Sequence, residues 1–290
     1  MVRAPSLART ALVTLAAGLM LGGQPPPALA SVHSPTGLYR RFADCPLANP
    51  DIDNCVFATL SGGHVTVGHK TVPLNAPIVI QGGFYGGGSE VVFVGAEDGN
   101  TLSSPPLTVP GGITGLIAPE SLSGSLRSGL ERAQAGVTMT LQLARPAGTI
   151  QLNTEHFLTK EGIALRLPAK IKLNNPFLGG NCYIGSTANP LVLSLTTGVT
   201  SPAAPNKPIM GTSGHFESLD DFRLLILKDA SLVDNSFTAP QATGCGGLNA
   251  PLINNALDAA IGLPSTTGHN TAILNGTFDI AATSAVHESE

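Results

Sequence analysis

Val137-Thr138-Met139-Thr140-Leu141-Gln142-Leu143 alternates without a break: Val137, Met139, Leu141 and Leu143 against Thr138, Thr140 and Gln142. A β-strand turns successive side chains to opposite faces, so this stretch has one apolar face and one polar face. Antiparallel strands with one solvated side require that pattern. It recurs at Ile150 and Leu152, at Ile163, Leu165 and Leu167, at Ile171 and Leu173, and at Leu191, Leu193 and Leu195. Turn formers separate the runs at Pro146-Ala147-Gly148, Asn174-Asn175-Pro176 and Gly179-Gly180-Asn181. Earlier in the chain, Val65-Thr66-Val67, Ile78-Val79-Ile80 and Val91-Val92-Phe93-Val94 also read as strands. Phe222 to Leu227 is apolar on both faces and predicts a strand buried mid-sheet. In a last strand over 272–280, Leu274 and Phe278 oppose Asn275 and Thr277. The expected fold is mainly β, an antiparallel β sandwich or barrel-like core.

One segment breaks the period. Leu248, Leu252, Ile253, Ala256, Leu257, Ala260 and Ile261 fall on one face of a 3.6-residue repeat, predicting one amphipathic C-terminal helix over 249–261. Asn249 can cap its start, Pro251 is tolerated in the first turn, and Gly262 followed by Pro264 stops it. A second, short helix around Leu122, Leu126 and Leu130, up to Gln134, is weakened by Gly124 and Gly129. Residues 98–125 are rich in Gly, Ser and Pro and suggest a boundary. It divides an N-terminal β region, 31–110, from a main β domain, 111–290.

Residues 1–30 read as a signal peptide. Arg3 and Arg9 precede an apolar core at 11–21, and Ala28-Leu29-Ala30 supplies the cleavage site. The core is shorter than the roughly 20 residues that span a bilayer, so no transmembrane segment is expected after cleavage. The expected location is secreted, in an oxidising compartment. Four cysteines allow three pairings. The short Cys45–Cys55 loop favours that pair and leaves Cys182 and Cys245 for each other, giving a disulfide-stapled core. Losing Arg3 and Arg9 takes the 15 basic residues to 13 against 19 acids, a net −6. That balance offers no basic patch for nucleic acid or anionic lipid.

Chemistry is sparse. Gly211-Thr212-Ser213-Gly214-His215 lacks the spacing of a nucleophile elbow. Ser213, His215 and Asp220 or Asp221 cluster locally and are the candidates for a nucleophilic site; triad members usually converge from distant parts of a chain, so a polar loop before the Phe222 strand is the favoured account. Asp51 and Asp53 resemble the opening of a calcium loop, but the Gly and the later bidentate acid are missing, so a local Asx turn is the simpler account. His64, His69, His156, His215 and His269 show no metal-ligand spacing, and no cofactor is expected. Glu155, Glu161, Asp220 and Asp221 could pair for glycoside hydrolysis, yet the chain has no Trp and three Tyr to grip sugar rings. Gly82 to Gly88 is a flexible turn without the Lys-Ser/Thr of a phosphate loop. Leu263-Pro264-Ser265-Thr266-Thr267 mimics a cell-wall sorting signal without its Gly or apolar tail.

The run Leu173-Asn174-Asn175-Pro176-Phe177-Leu178-Gly179-Gly180-Asn181-Cys182-Tyr183-Ile184-Gly185-Ser186 resembles a family of exported actinobacterial proteins with no assigned activity. Leu195-Thr196-Thr197-Gly198, Pro205-Asn206-Lys207-Pro208-Ile209, Leu232-Val233-Asp234-Asn235 and Gly244-Cys245-Gly246 extend the likeness. The resemblance implies export and supports pairing of Cys182 with Cys245; it carries over no catalytic residue. The expected function is a non-enzymatic structural, surface or binding module with a cell-surface or extracellular ligand. The alternatives are a secreted hydrolase and an apolar-ligand carrier enclosed by the β core.

Overall fold

The structure, a computed structural model, describes residues 33–87, 91–133 and 135–290. The expected signal peptide and its cleavage point lie outside them, as do Gly88 and Gln134. Strands in chain order are β1 Asn54–Val67, β2 Lys70–Pro73, β3 Ile78–Tyr85, β4 Val92–Gly95, β5 Leu102–Ser103, β6 Leu107–Thr108, β7 Thr138–Leu143 and β8 Gln151–Leu152. They continue as β9 Leu165–Asn174, β10 Tyr183–Ile184, β11 Leu191–Leu195, β12 His215–Leu219, β13 Leu224–Asp234, β14 Ala242–Thr243 and β15 Thr271–Ala282. Helices α1 Gly124–Arg132, α2 Thr154–Thr159, α3 Ala250–Ile261 and α4 Thr283–Glu288 punctuate them.

These strands make two antiparallel sheets packed face to face and not closed into a barrel. The first has the order β12-β13-β15-β1-β3-β4, with β2 on β1 and β5 on β3. The second has the order β14-β10-β9-β7-β6, with β8 and β11 also on β9. The alternation read from sequence is the cause. Leu165, Leu167, Ala169, Ile171 and Leu173 of β9 point inward, against Val56, Ala58 and Leu60 of β1. Residues on either side of position 110 share the first sheet, because β1 pairs with β15 from Asn54↔Ala282 to Thr66↔Thr271.

The first sheet also buries part of its outer face, which the alternation alone does not predict. Cys55, Leu224, Ile226 and Ala281 are covered by Tyr39, Phe42, Cys45, Leu47 and Ile52 of the leading segment and by Ala285 and Val286 of α4. The Cys45–Cys55 bridge pins this third layer to β1. Polar links hold it as well. Arg41 forms an ion pair with the buried Asp279 of β15. Tyr39 donates to Asp220, and Arg223 bridges Asp220 and Glu288. Those donors hold the Asp220 carboxyl below its usual range, while burial, aided by Asp220, pushes the Tyr39 hydroxyl up to about 12.

Asp279 gives a pH-dependent expectation. Burial raises its carboxyl above the ordinary range, against the pull of Arg41. A carboxyl raised in the folded state binds its proton more tightly there than in the unfolded chain. Its contribution is therefore full below the ordinary Asp value, about 3.9, and is lost as pH rises through the native value. Arg41→Ala removes the counter-charge and should cost about 2–3 kcal/mol near pH 7. That is less than a fully buried pair loses, since Arg41 is half exposed. The penalty should shrink near pH 4, where Asp279 takes its proton. Urea unfolding at both pH values checks this; equal penalties refute it.

Three local expectations change. Phe222 lies in the tight β12–β13 turn, not in a strand; Asp220, Asp221 and Phe222 all have positive φ, and Phe222 is exposed. Leu248, ahead of α3, and Leu252, in its first turn, face solvent, so the buried stripe is narrower: Ile253, Ala256, Leu257, Asp258 and Ile261. Asn249 makes no side-chain cap, because a 3-10 turn over Gly247–Asn249 leads into the helix.

Candidate functional site

At one end of the sandwich the two sheets part around α2. Register assembles one wall of the gap. Leu225, Ile280 and Val56 are neighbours across β13, β15 and β1, and the residue of β3 opposite Val56 is Gly82, which adds no side chain. Leu227 and Phe278 form the next row, with Phe216 of edge strand β12 beside Leu227. Phe84 of β3 closes the wall next to Asn54.

The opposite wall is α2. Asn153 caps it by accepting from the His156 N–H at 2.9 Å, and Thr197 Oγ1 donates to the Phe157 carbonyl at 2.9 Å. Lys160 ends the helix in a left-handed conformation, and the His156 ring packs on Gly162, where a Cβ would come within 2.7 Å of it. Thus fixed, Phe157 meets Phe278 edge to face at 4.6 Å and forms the floor. Leu158 and Phe216 are the lips, 52% and 53% exposed.

The result is a solvent-open cleft of about 490 Å³ with apolar walls. Asn54, Thr154 and Glu155 are its polar side chains, and no Lys, Arg or His among the described residues lines it. Such a volume lies within the roughly 300–1,000 Å³ typical of small-molecule sites. Exposed Phe and Leu side chains at its mouth remain in water unless something covers them.

The residues singled out from sequence lie elsewhere, apart from Glu155. His215 begins β12 and Asp220 lies beyond its far end, roughly 17 Å away along the strand, so Ser213, His215 and Asp220 do not assemble a triad. Asp220 is instead engaged by Tyr39 and Arg223. Asp51 donates its N–H to Asn49 Oδ1 in a local turn, whereas Asp53 Oδ2 accepts from the Gly86 N–H just past the end of β3, a link between distant parts of the chain. Among the described residues no three of His, Cys, Asp and Glu gather as metal ligands. Ser265, inside the sorting-signal mimic, is buried and paired through its backbone with Ala239. Family models, curated proteins and solved structures give no match to this chain.

Proposed function

We propose that this is an exported, non-enzymatic binding protein whose cleft takes the apolar part of an amphipathic small molecule. The cleft carries the proposal: four phenylalanines, Phe84, Phe157, Phe216 and Phe278, line one open space on a backbone fixed by sheet register and by the α2 cap. Two disulfides fit an oxidising compartment, and no described helix is long and apolar enough to cross a membrane. The resemblance to exported actinobacterial proteins supports the same location. A hydrolytic reading has less support, because its candidate residues are dispersed.

Burying one aromatic side chain is worth about 1.5–3 kcal/mol, and Phe216 is half buried without ligand, so Phe216→Ala should weaken binding about tenfold. Native mass spectrometry of protein from the producing cells should show a bound small molecule. Titration with 1-hexadecanol should give saturable binding that Phe216→Ala weakens while the melting temperature holds. No co-purified molecule, together with no hexadecanol binding, would overturn the proposal.

A further inference from the structure

The outer face of the second sheet differs in character from the rest of the surface. β9 is central, and Arg166, Lys170, Lys172 and Asn174 project outward between buried Leu165, Leu167, Ile171 and Leu173. Register sets Ser194 beside Arg166, Gln142 beside Lys170, and both Thr140 and Tyr183 beside Lys172. The Tyr183 ring centroid lies 5.0 Å from Lys170 Nζ and 6.0 Å from Lys172 Nζ.

Charge is segregated here. The chain as a whole carries −4, yet the seven strands of this sheet contain no Asp or Glu. Lys170 and Lys172 enter none of the ion pairs among the described residues. Arg166 senses Asp234, but that carboxylate is buried and accepts from the Ser194 and Ser236 N–H groups. The net negative charge of the sequence gives no sign of these cations, because overall charge says nothing about which strand face collects them.

We infer that this face docks an acidic polysaccharide. Cations two and four residues apart on a strand are spaced about 7 and 13 Å, a repeat that an extended polyanion can follow. Between them Thr140, Gln142 and Ser194 offer donors and acceptors for ring hydroxyls, and Tyr183 offers an aromatic surface. Nucleic acid is disfavoured, because its density of phosphates calls for more cations than these and the rest of the protein repels it. A bilayer is disfavoured too, since no large apolar side chain stands beside the lysines to insert.

Affinity electrophoresis of the full chain in gels containing polygalacturonate tests this, with dextran, single-stranded DNA and phosphatidylglycerol vesicles as comparisons. The protein should be retarded by polygalacturonate at low salt, not by dextran, and less by DNA or vesicles. Lys170→Ala with Lys172→Ala should weaken the retardation about tenfold, as expected for two solvent-facing charge contacts, and flatten its salt dependence. Arg127→Ala on α1 should leave it unchanged, and hexadecanol binding should persist in the double variant as a check of folding. No retardation by polygalacturonate, or retardation indifferent to the two lysines, overturns the inference. Tighter binding to DNA or to vesicles replaces it with that partner.

Discussion

Cys182→Ala combined with Cys245→Ser lowers the unfolding free energy by about 4 kcal/mol, the largest loss expected from any one cross-link. The bridge joins residues separated by 63 positions, and in the chain-entropy model closing a loop of that length removes about that much freedom from the unfolded chain. The other bridge spans 10 positions, for which the same relation gives about 2.5–3 kcal/mol. The double variant should still fold, because the chain around Cys245 is held independently. Gly246 donates its N–H to the Leu178 carbonyl at 2.7 Å, and the Cys245 N–H reaches Asn254 Oδ1 at 3.0 Å. Gly244 lies so close to Asn181 that a Cβ would meet its carbonyl oxygen at 2.2 Å. With the native geometry defined by these contacts, the loss should come mainly from the unfolded state. Denaturant titration of both double-cysteine variants decides it. A long-bridge variant that loses no more than the short-bridge one contradicts the loop-entropy account.

The strands were legible because burial on one face writes itself into every second residue. Val137 to Leu143 and Leu165 to Leu173 show it, and the structure turns those apolar positions into the core. The cysteine pairing was legible for a related reason, since one short loop leaves a single distant pair. Leu248 and Leu252 misled because they satisfy the helical period yet lie at its leading end, Leu248 in the 3-10 turn and Leu252 in the first turn of α3, where both are exposed. The cleft was hidden for a stronger reason. Val56, Phe84, Phe157, Phe216 and Phe278 become neighbours only through sheet register and the placement of α2, neither of which a linear pattern encodes. α2 spans six residues, too few to display a period. Its one local signal is the Asn153-Thr154-Glu155 start, a capping residue followed by an acid in the first turn. The third layer over the first sheet escaped because Tyr39, Phe42 and Leu47 follow neither repeat.

Leu257→Ala should cost about 2–5 kcal/mol, the range for truncating a fully buried leucine whose surroundings collapse only in part. Leu257 is completely buried in the middle of α3, between Ile253 and Ile261, which face the same core. The surroundings have little room to relax, because α3 is held at both ends. Ahead of its start Cys245 is bridged to Cys182, and beside Leu257 in its second half Asp258 Oδ1 accepts from the Ala242 N–H of β14 at 2.8 Å. At its end the Ile261 carbonyl accepts from the His69 N–H at 2.7 Å, tying the helix to the β1–β2 hairpin of the first sheet. α3 therefore spans from one sheet to the other and closes the sandwich at the end away from α2. A helix tethered on both sides cannot slide inward to fill the lost volume, which favours the upper half of the range. Leu252→Ala on the exposed side of the same helix should cost under about half a kcal/mol. Chemical denaturation of the two variants separates the faces. Equal costs would mean that α3 does not close the core through Leu257.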